Sequence, residues 1–344
     1  MKRVLGLALL VIAGATLGIA QSRSHSLPGV RRTWRIAFVR DGGIWVCAGD
    51  GSGQKVLIPN GYSPSWSPDR SRIAFGRDGE IWVAAADGTR QQALTFGRAG
   101  HTSKDETPSD VTISWRPGKG SLTFSRREVF NAERADRAPG IASPRAVAPV
   151  SVTARSILDV LVDGPQPSTA TARYDLLDRG STFVFADHAH PAWSPSGRKL
   201  AFTRNGDIWV TTAEGGLPGD PRGDWEARRV AAVARFDEPV RRASRDNRCA
   251  TRLSWHPDER RLVYGYDRLQ GSGFNEVHLL DTRAGHDSVV VRDALEPCVS
   301  PDGRFILYRA YGEACGPDGF CVCAISLDGR QRVKLVSKGS QPAW

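Results

Sequence analysis

The densest cluster of potential ligating side chains in the sequence is Asp187-His188-Ala189-His190. Alternate residues of an extended segment share a side, so His188 and His190 would present both imidazoles together. Asp187 would act as a third ligand or orient one ring, and Asp105, Glu106 or Asp246 from other loops would complete a divalent-cation site. A cation held there would support a metal-assisted lyase or hydrolase acting on an anionic saccharide. The competing reading is a polar loop with two partly exposed histidines and no cofactor.

The cysteines form a second reactive set: Cys47, Cys249, Cys298, Cys315, Cys321 and Cys323. Cys315 and Cys321 flank the turn-forming run Gly-Pro-Asp-Gly-Phe, which would let them close a small loop. Cys321 and Cys323 fall on one side of a strand. No His lies near them, which argues against a metal site, and the disulfide pairing stays open. Other chemistry finds no support, because Gly-x-Ser-x-Gly, His-Glu-x-x-His, Walker and Rossmann glycine motifs are all absent from the sequence. A binding role is therefore favoured over an enzymatic one.

An internal repeat supplies the elements that must position these residues. One copy reads Pro64-Ser-Trp-Ser-Pro-Asp-Arg-Ser-Arg-Ile-Ala-Phe-Gly-Arg-Asp-Gly-Glu-Ile-Trp-Val, and a second reads Pro191-Ala-Trp-Ser-Pro-Ser-Gly-Arg-Lys-Leu-Ala-Phe-Thr-Arg-Asn-Gly-Asp-Ile-Trp-Val. Weaker copies start near Ser114-Trp115, Ser254-Trp255 and Pro297-Cys298-Val299. Each unit predicts a short inner strand, a tight Pro-Asp-Gly turn, a second strand, an Asp-Gly or Asn-Gly hairpin and a third strand. A short fourth strand, such as the one around Gln92-Ala93, would complete a four-stranded antiparallel sheet. One such sheet is marginal alone, whereas a ring of them buries both faces of each.

Inner-strand positions fall at Trp66, Trp115, Trp193, Trp255, Val299 and Trp344. The sequence stops at Trp344, the start of a repeat, and its first unit at Arg35 lacks that start. The expectation is an all-β, six-bladed propeller closed by pairing of the N- and C-terminal segments. The stretch Arg126–Ser156 exceeds a minimal blade and is expected as an exposed excursion, partly helical near Val129–Ala138. Connections between blades would gather Asp187, His188, His190, Asn247, Arg248 and Glu296 on one face as a polar, mixed-charge funnel that binds a partner.

These units resemble the TolB-type, or WD40-like, propeller repeat from about Arg35 to Trp344. The resemblance implies a protein-binding scaffold in the cell envelope, with an envelope protein or peptide, Pal-like in that family, at the channel mouth. TolB proteins carry an α/β domain before the propeller. Here residues 21–34 are all that separates the expected cleavage site from the first strand, so a full Tol–Pal role is not implied.

Lys2 and Arg3 precede an apolar run from Val4 to Ala20, which reads as a signal peptide cleaved after Ala20. The expected organisation is a signal at 1–20, a linker at 21–34 and one propeller at 35–344, in a periplasmic or secreted monomer. The formal net charge is +10 over 344 residues, and its arginines are scattered through turns. An exported chain is not expected to meet nucleic acid, so the charge would act, if at all, toward anionic components of the envelope.

Overall fold

The computed structural model describes residues 27–95, 112–131, 151–162, 188–204, 207–212, 228–232, 248–268 and 275–344. Short antiparallel sheets follow one another along the chain. The first contains β1 (Arg35–Arg40), β2 (Gly43–Ala48) and β3 (Lys55–Ile58). The second contains β4 (Tyr62–Trp66), β5 (Arg72–Arg77), β6 (Glu80–Ala85) and β7 (Gln92–Ala93). The third contains β8 (Ile113–Arg116), β9 (Ser121–Asn131) and β10 (Ser151–Leu161). The fourth contains β11 (His188–Trp193), β12 (Lys199–Arg204), β13 (Asp207–Thr212) and β14 (Arg228–Ala231). The fifth contains β15 (Arg248–Trp255), β16 (Arg261–Arg268), β17 (Glu276–Asp281) and β18 (Asp287–Arg292). The sixth contains β19 (Ala294–Val299), β20 (Phe305–Tyr311), β21 (Phe320–Ser326) and β22 (Arg332–Ser337). The last strand, β23 (Ser340–Ala343), joins the first sheet and gives it the order β23-β1-β2-β3.

The architecture is an all-β propeller of small four-stranded antiparallel blades, but among the described residues five blades are complete, not six. The third sheet holds three strands among the described residues. Its β9 and β10 are each 11 residues long and pair along their whole length, from Ser121↔Leu161 to Asn131↔Ser151. Both ends of the expected excursion are therefore ladder, not irregular chain, and the predicted helix fails over Val129–Asn131. Backbone pairing along a continuous hairpin satisfies every second amide and carbonyl there, which a free loop would leave to water.

Local chemistry accounts for the turns. Asp41-Gly42 and Asp78-Gly79 have φ of 50° and 73°, and of 51° and 76°, the positive pair that a two-residue hairpin of this twist demands. In the Ser-Pro-Asp turns the serine hydroxyl bonds the aspartate, at 2.6 Å for Ser67–Asp69 and 2.7 Å for Ser300–Asp302. The Ser67 and Ser71 hydroxyls hold the Asp69 carboxyl down at about 2.

Apolar layers lie between successive sheets. Ile36, Phe38 and Cys47 of the first sheet pack with Phe305, Leu307, Val322 and Trp344. Burial there pushes the Cys47 thiol up to about 12, so it behaves as a small apolar residue. Successive inner strands are also tied by hydrogen bonds. The indole N–H groups of Trp115, Trp255 and Trp344 donate to Ser65 O, Ala192 O and Cys298 O at 2.9, 2.9 and 3.0 Å. Trp193 donates its indole N–H to Thr123 Oγ1 at 2.8 Å and its backbone N–H to Ser114 Oγ at 2.9 Å. Val299, which lacks an indole, donates its backbone N–H to Ser254 Oγ at 3.0 Å.

Second and third strands share an aromatic pair, Phe38↔Trp45, Phe75↔Trp82 and Phe202↔Trp209. Arg40 and Arg77 cap two of these pairs from 4.9–5.0 Å. The fifth sheet substitutes Tyr264↔His278, with Tyr266 in the capping place. Asp287 Oδ2 accepts from Tyr264 at 2.8 Å and lies 3.0 Å from His278 Nδ1, while Glu276 Oε2 lies 3.3 Å from Nε2. Burial alone would lower the His278 pKa, but the two carboxylates more than offset it and hold it above 6.5. Arg292 pairs with the same Glu276 at 3.1 Å. A raised histidine pKa contributes stability fully below the unfolded value and loses it as pH rises through the folded value. The melting midpoint should therefore fall between pH 6 and 8 by more in the natural chain than in His278→Gln, as read by thermal melts across that range. Parallel pH profiles would exclude the linkage.

Among the described residues one disulfide joins Cys315 to Cys321, the small loop the turn chemistry allowed, and Cys47, Cys298 and Cys323 are free. Cys323 Sγ lies 3.6 Å from Cys321 Sγ, on the shared side of β21. No described helix is long and apolar enough to cross a membrane.

Candidate functional site at the inner strands

Five inner strands carry the same irregularity three residues before the Trp position. Ser63, His190, Arg252, Glu296 and Gln341 have φ of 50°, 54°, 39°, 57° and 49°. The strand register shifts at each of these points. A bulge with a non-glycine residue in the left-handed region costs about 1–2 kcal/mol per site. Five repetitions at one position mark a built feature, because strain of this kind persists only where surrounding contacts enforce it. In the third sheet the corresponding residue, Thr112, lacks the positive φ.

Contacts between neighbouring strands show what enforces it. Gln341 Oε1 accepts from the backbone N–H of Ser63 at 2.7 Å, and Glu296 Oε2 accepts from that of Gln341 at 2.5 Å. His190 Nδ1 lies 2.9 Å from Thr112 Oγ1. In the first two contacts a bulge residue of one strand thus reaches a bulge residue of the next and satisfies an amide that the interrupted ladder released. Ser63, Thr112, His190, Glu296 and Gln341 are all buried, at 1, 8, 6, 9 and 4% exposure. Arg309 approaches Glu296 Oε1 at 3.5 Å, and its guanidinium lies 4.8 Å from the rings of Tyr311 and Phe320.

Cations gather a step further along. Arg252 and Arg70 both act on the Cys298 thiol, whose pKa burial raises and these arginines partly restore. Arg70 is itself lowered by burial and donates to Arg35 O at 3.3 Å. The innermost layer therefore holds carboxylate, guanidinium, imidazole, amide and hydroxyl groups, several of them paired with one another.

Of the six residues proposed from sequence, the structure brings Glu296 and His190 into this layer. His188 and Arg248 open β11 and β15, where their backbones pair with Arg204 and Arg268. Asp187 and Asn247 lie outside the described residues, as do Asp105, Glu106 and Asp246. The register shifts between Ala189 and Ala192, and His190 Nδ1 lies against Thr112 Oγ1. No group of three His, Cys, Asp or Glu side chains suited to a metal exists among the described residues. Tyr62 serves the fold, since its ring lies where a Cβ on Gly76 would be 2.1 Å away. Sequence reasoning missed Ser63, Thr112, Arg252 and Arg309. The signal for the first three was the fixed offset of three residues before each Trp, which only the bulge makes meaningful.

These features define a β-propeller. No family model matches the chain, and neither does any curated protein. Among solved structures it is similar to TolB from Acinetobacter baumannii, with 16% identity and a TM-score of 0.54 over 91% of this chain and 67% of that one. A protein assigned as TolB from Agrobacterium tumefaciens matches at 13% identity and a TM-score of 0.52, covering 89% of this chain and 90% of that one. A chain of the nidogen/laminin complex matches at 10% identity and 0.52, covering 90% and 97%. Identities this low establish the fold.

Proposed function

We propose that this chain is an exported, TolB-like propeller that binds an envelope protein or peptide at the channel end where its inter-blade connections meet. The carrying observation is the set of five strained bulge residues, four of them buried, which supports a reading of convergent polar groups on a rigid scaffold. The fold shared with TolB supports the same reading. In this reading residues 1–20 are a cleaved signal, 21–34 a linker and 35–344 one periplasmic or secreted, monomeric propeller. β23 and the contacts of Gln341 and Trp344 fasten the ring. Asp187, His188, His190, Asn247, Arg248 and Glu296 form the contact surface, and a Pal-like protein is the partner the resemblance favours.

The test is calorimetric titration of the purified chain with the soluble domain of a Pal-type protein. Binding is expected, weakened about tenfold or more by combining His188→Ala with Arg248→Glu. Absence of binding removes the Pal-like partner. Binding that survives the double variant unchanged moves the contact away from this face.

A further inference from the structure

The sixth blade carries a second surface, apart from the channel. An open groove of about 1120 Å³ runs along its outermost strand, β22. Arg330, Arg332, Lys334 and Lys338 line it from or beside that strand, Arg40 faces them from the first sheet, and Asp318 is the one carboxylate in the lining. This concentrates five cations of a chain whose formal net charge is +10.

The strand is half anchored and half open. Val333 and Leu335 are buried in the layer shared with Ile36 and Phe38. Arg332 and Lys334, two residues apart, are exposed on the opposite side. β22 pairs with β21, with a register shift at Leu335, and is the last strand of its sheet, so among the described residues its other edge has no strand partner, although Leu335 O packs against Gly51. The groove wall is fixed covalently: the Cys315–Cys321 disulfide holds the Gly312–Asp318 segment, and Lys334 Nζ donates to Cys315 O at 2.8 Å. Lys338 lies 3.6 Å from Asp318 at the far end.

We infer that this groove docks an extended acidic peptide segment, which adds to β22 as a fifth strand of the blade. A strand edge without a strand partner is satisfied in register by another polypeptide, not by a glycan. Cations spaced two residues apart match acidic side chains at alternate positions of that peptide. The groove accepts a segment of about six residues, the length of β22. This site is independent of the channel reading and assigns part of the positive charge a purpose.

The experiment is fluorescence anisotropy with the labelled peptide Ser-Glu-Val-Glu-Val-Glu-Ser at low ionic strength. Three controls accompany it: the same peptide with lysine for glutamate, one N-methylated at alternate amides, and dextran sulfate as a competitor. The acidic peptide is expected to bind, while the lysine and N-methylated versions bind at least about tenfold more weakly. Combining Arg332→Glu with Lys334→Glu should weaken the acidic peptide by a similar factor, with Arg332→Gln plus Lys334→Gln intermediate. Both positions are exposed, and unchanged melting midpoints would establish that the variants fold. Hydrogen exchange should show new protection of β22 amides on adding the peptide. No binding of the acidic peptide, equal binding by the charge-reversed variant, or equal binding of the N-methylated peptide would each overturn the proposal. Tight binding of dextran sulfate with no protection of β22 would do so in favour of a polyanion surface.

Discussion

Trp344→Ala is expected to destabilise the fold by about 3–5 kcal/mol, the range for deleting a large buried aromatic side chain. Trp344 is 5% exposed and packs edge-on against Trp34 at a centroid distance of 5.2 Å. Its indole N–H also donates to Cys298 O, so the alanine variant leaves a cavity and loses a hydrogen bond between neighbouring sheets. Removing residues 340–344 should do more. It strips β23 from β1, exposes the face of Ile36 and Phe38, and leaves Ser63 N–H without Gln341 Oε1. The bare edge of β1 then becomes a template for aggregation. Trp344→Phe, which keeps most of the packing and loses the hydrogen bond, should cost about 1–2 kcal/mol. Urea denaturation of the three variants separates these contributions. A change under about 0.5 kcal/mol for Trp344→Ala would mean that the last strand does not fasten the propeller.

Glu296 makes a sharper test, because two opposing effects meet at one residue. Its carboxylate accepts from Gln341 N–H and from Arg309, whose side chain is 25% exposed. Its backbone sits at φ 57°. Glu296→Ala removes both acceptors and keeps the strain, for an expected loss of about 2–3 kcal/mol after allowing for the long, partly solvated ion pair. Glu296→Gln retains an acceptor for the amide and should lose about 1 kcal/mol. Glu296→Gly removes both acceptors but tolerates the positive φ, and should be milder than alanine by about 1 kcal/mol. The expected order of stability is Gln above Gly above Ala, measured by urea midpoints at pH 7. A glycine variant as unstable as alanine would show that the bulge stores no strain.

The repeating Trp and Asp-Gly positions made the blades legible before any coordinates, because hairpin turns and cross-strand aromatics are local requirements. Asp41-Gly42 must adopt positive φ whatever surrounds it, and Phe38 must face Trp45 once that turn forms. The third unit was misread for the same reason. Its segment from Arg126 to Ser156 lacks clear alternation, and only distant pairing, from Arg126↔Ser156 to Asn131↔Ser151, identifies both ends as strand. The disulfide was half legible: the turn between Cys315 and Cys321 allowed it, yet Cys323 was equally eligible until the fold put Cys315 against Cys321.

The candidate site was less readable than the scaffold. Glu296 and His190 were chosen as loop residues, whereas both lie inside strands and act through a bulge. Nothing in Leu-Glu-Pro-Cys or Ala-His-Pro-Ala announces a left-handed backbone. The sequence by itself determined most of the elements: which residues turn, and which pair within every unit but the third. Tertiary structure alone decided which side chains meet. Gln341 finds Ser63 across 278 positions, and Glu296 finds Gln341 across 45. Local chemistry sets a residue's own φ preferences and nearest pairings, while a released amide takes whatever acceptor the neighbouring sheet brings within reach.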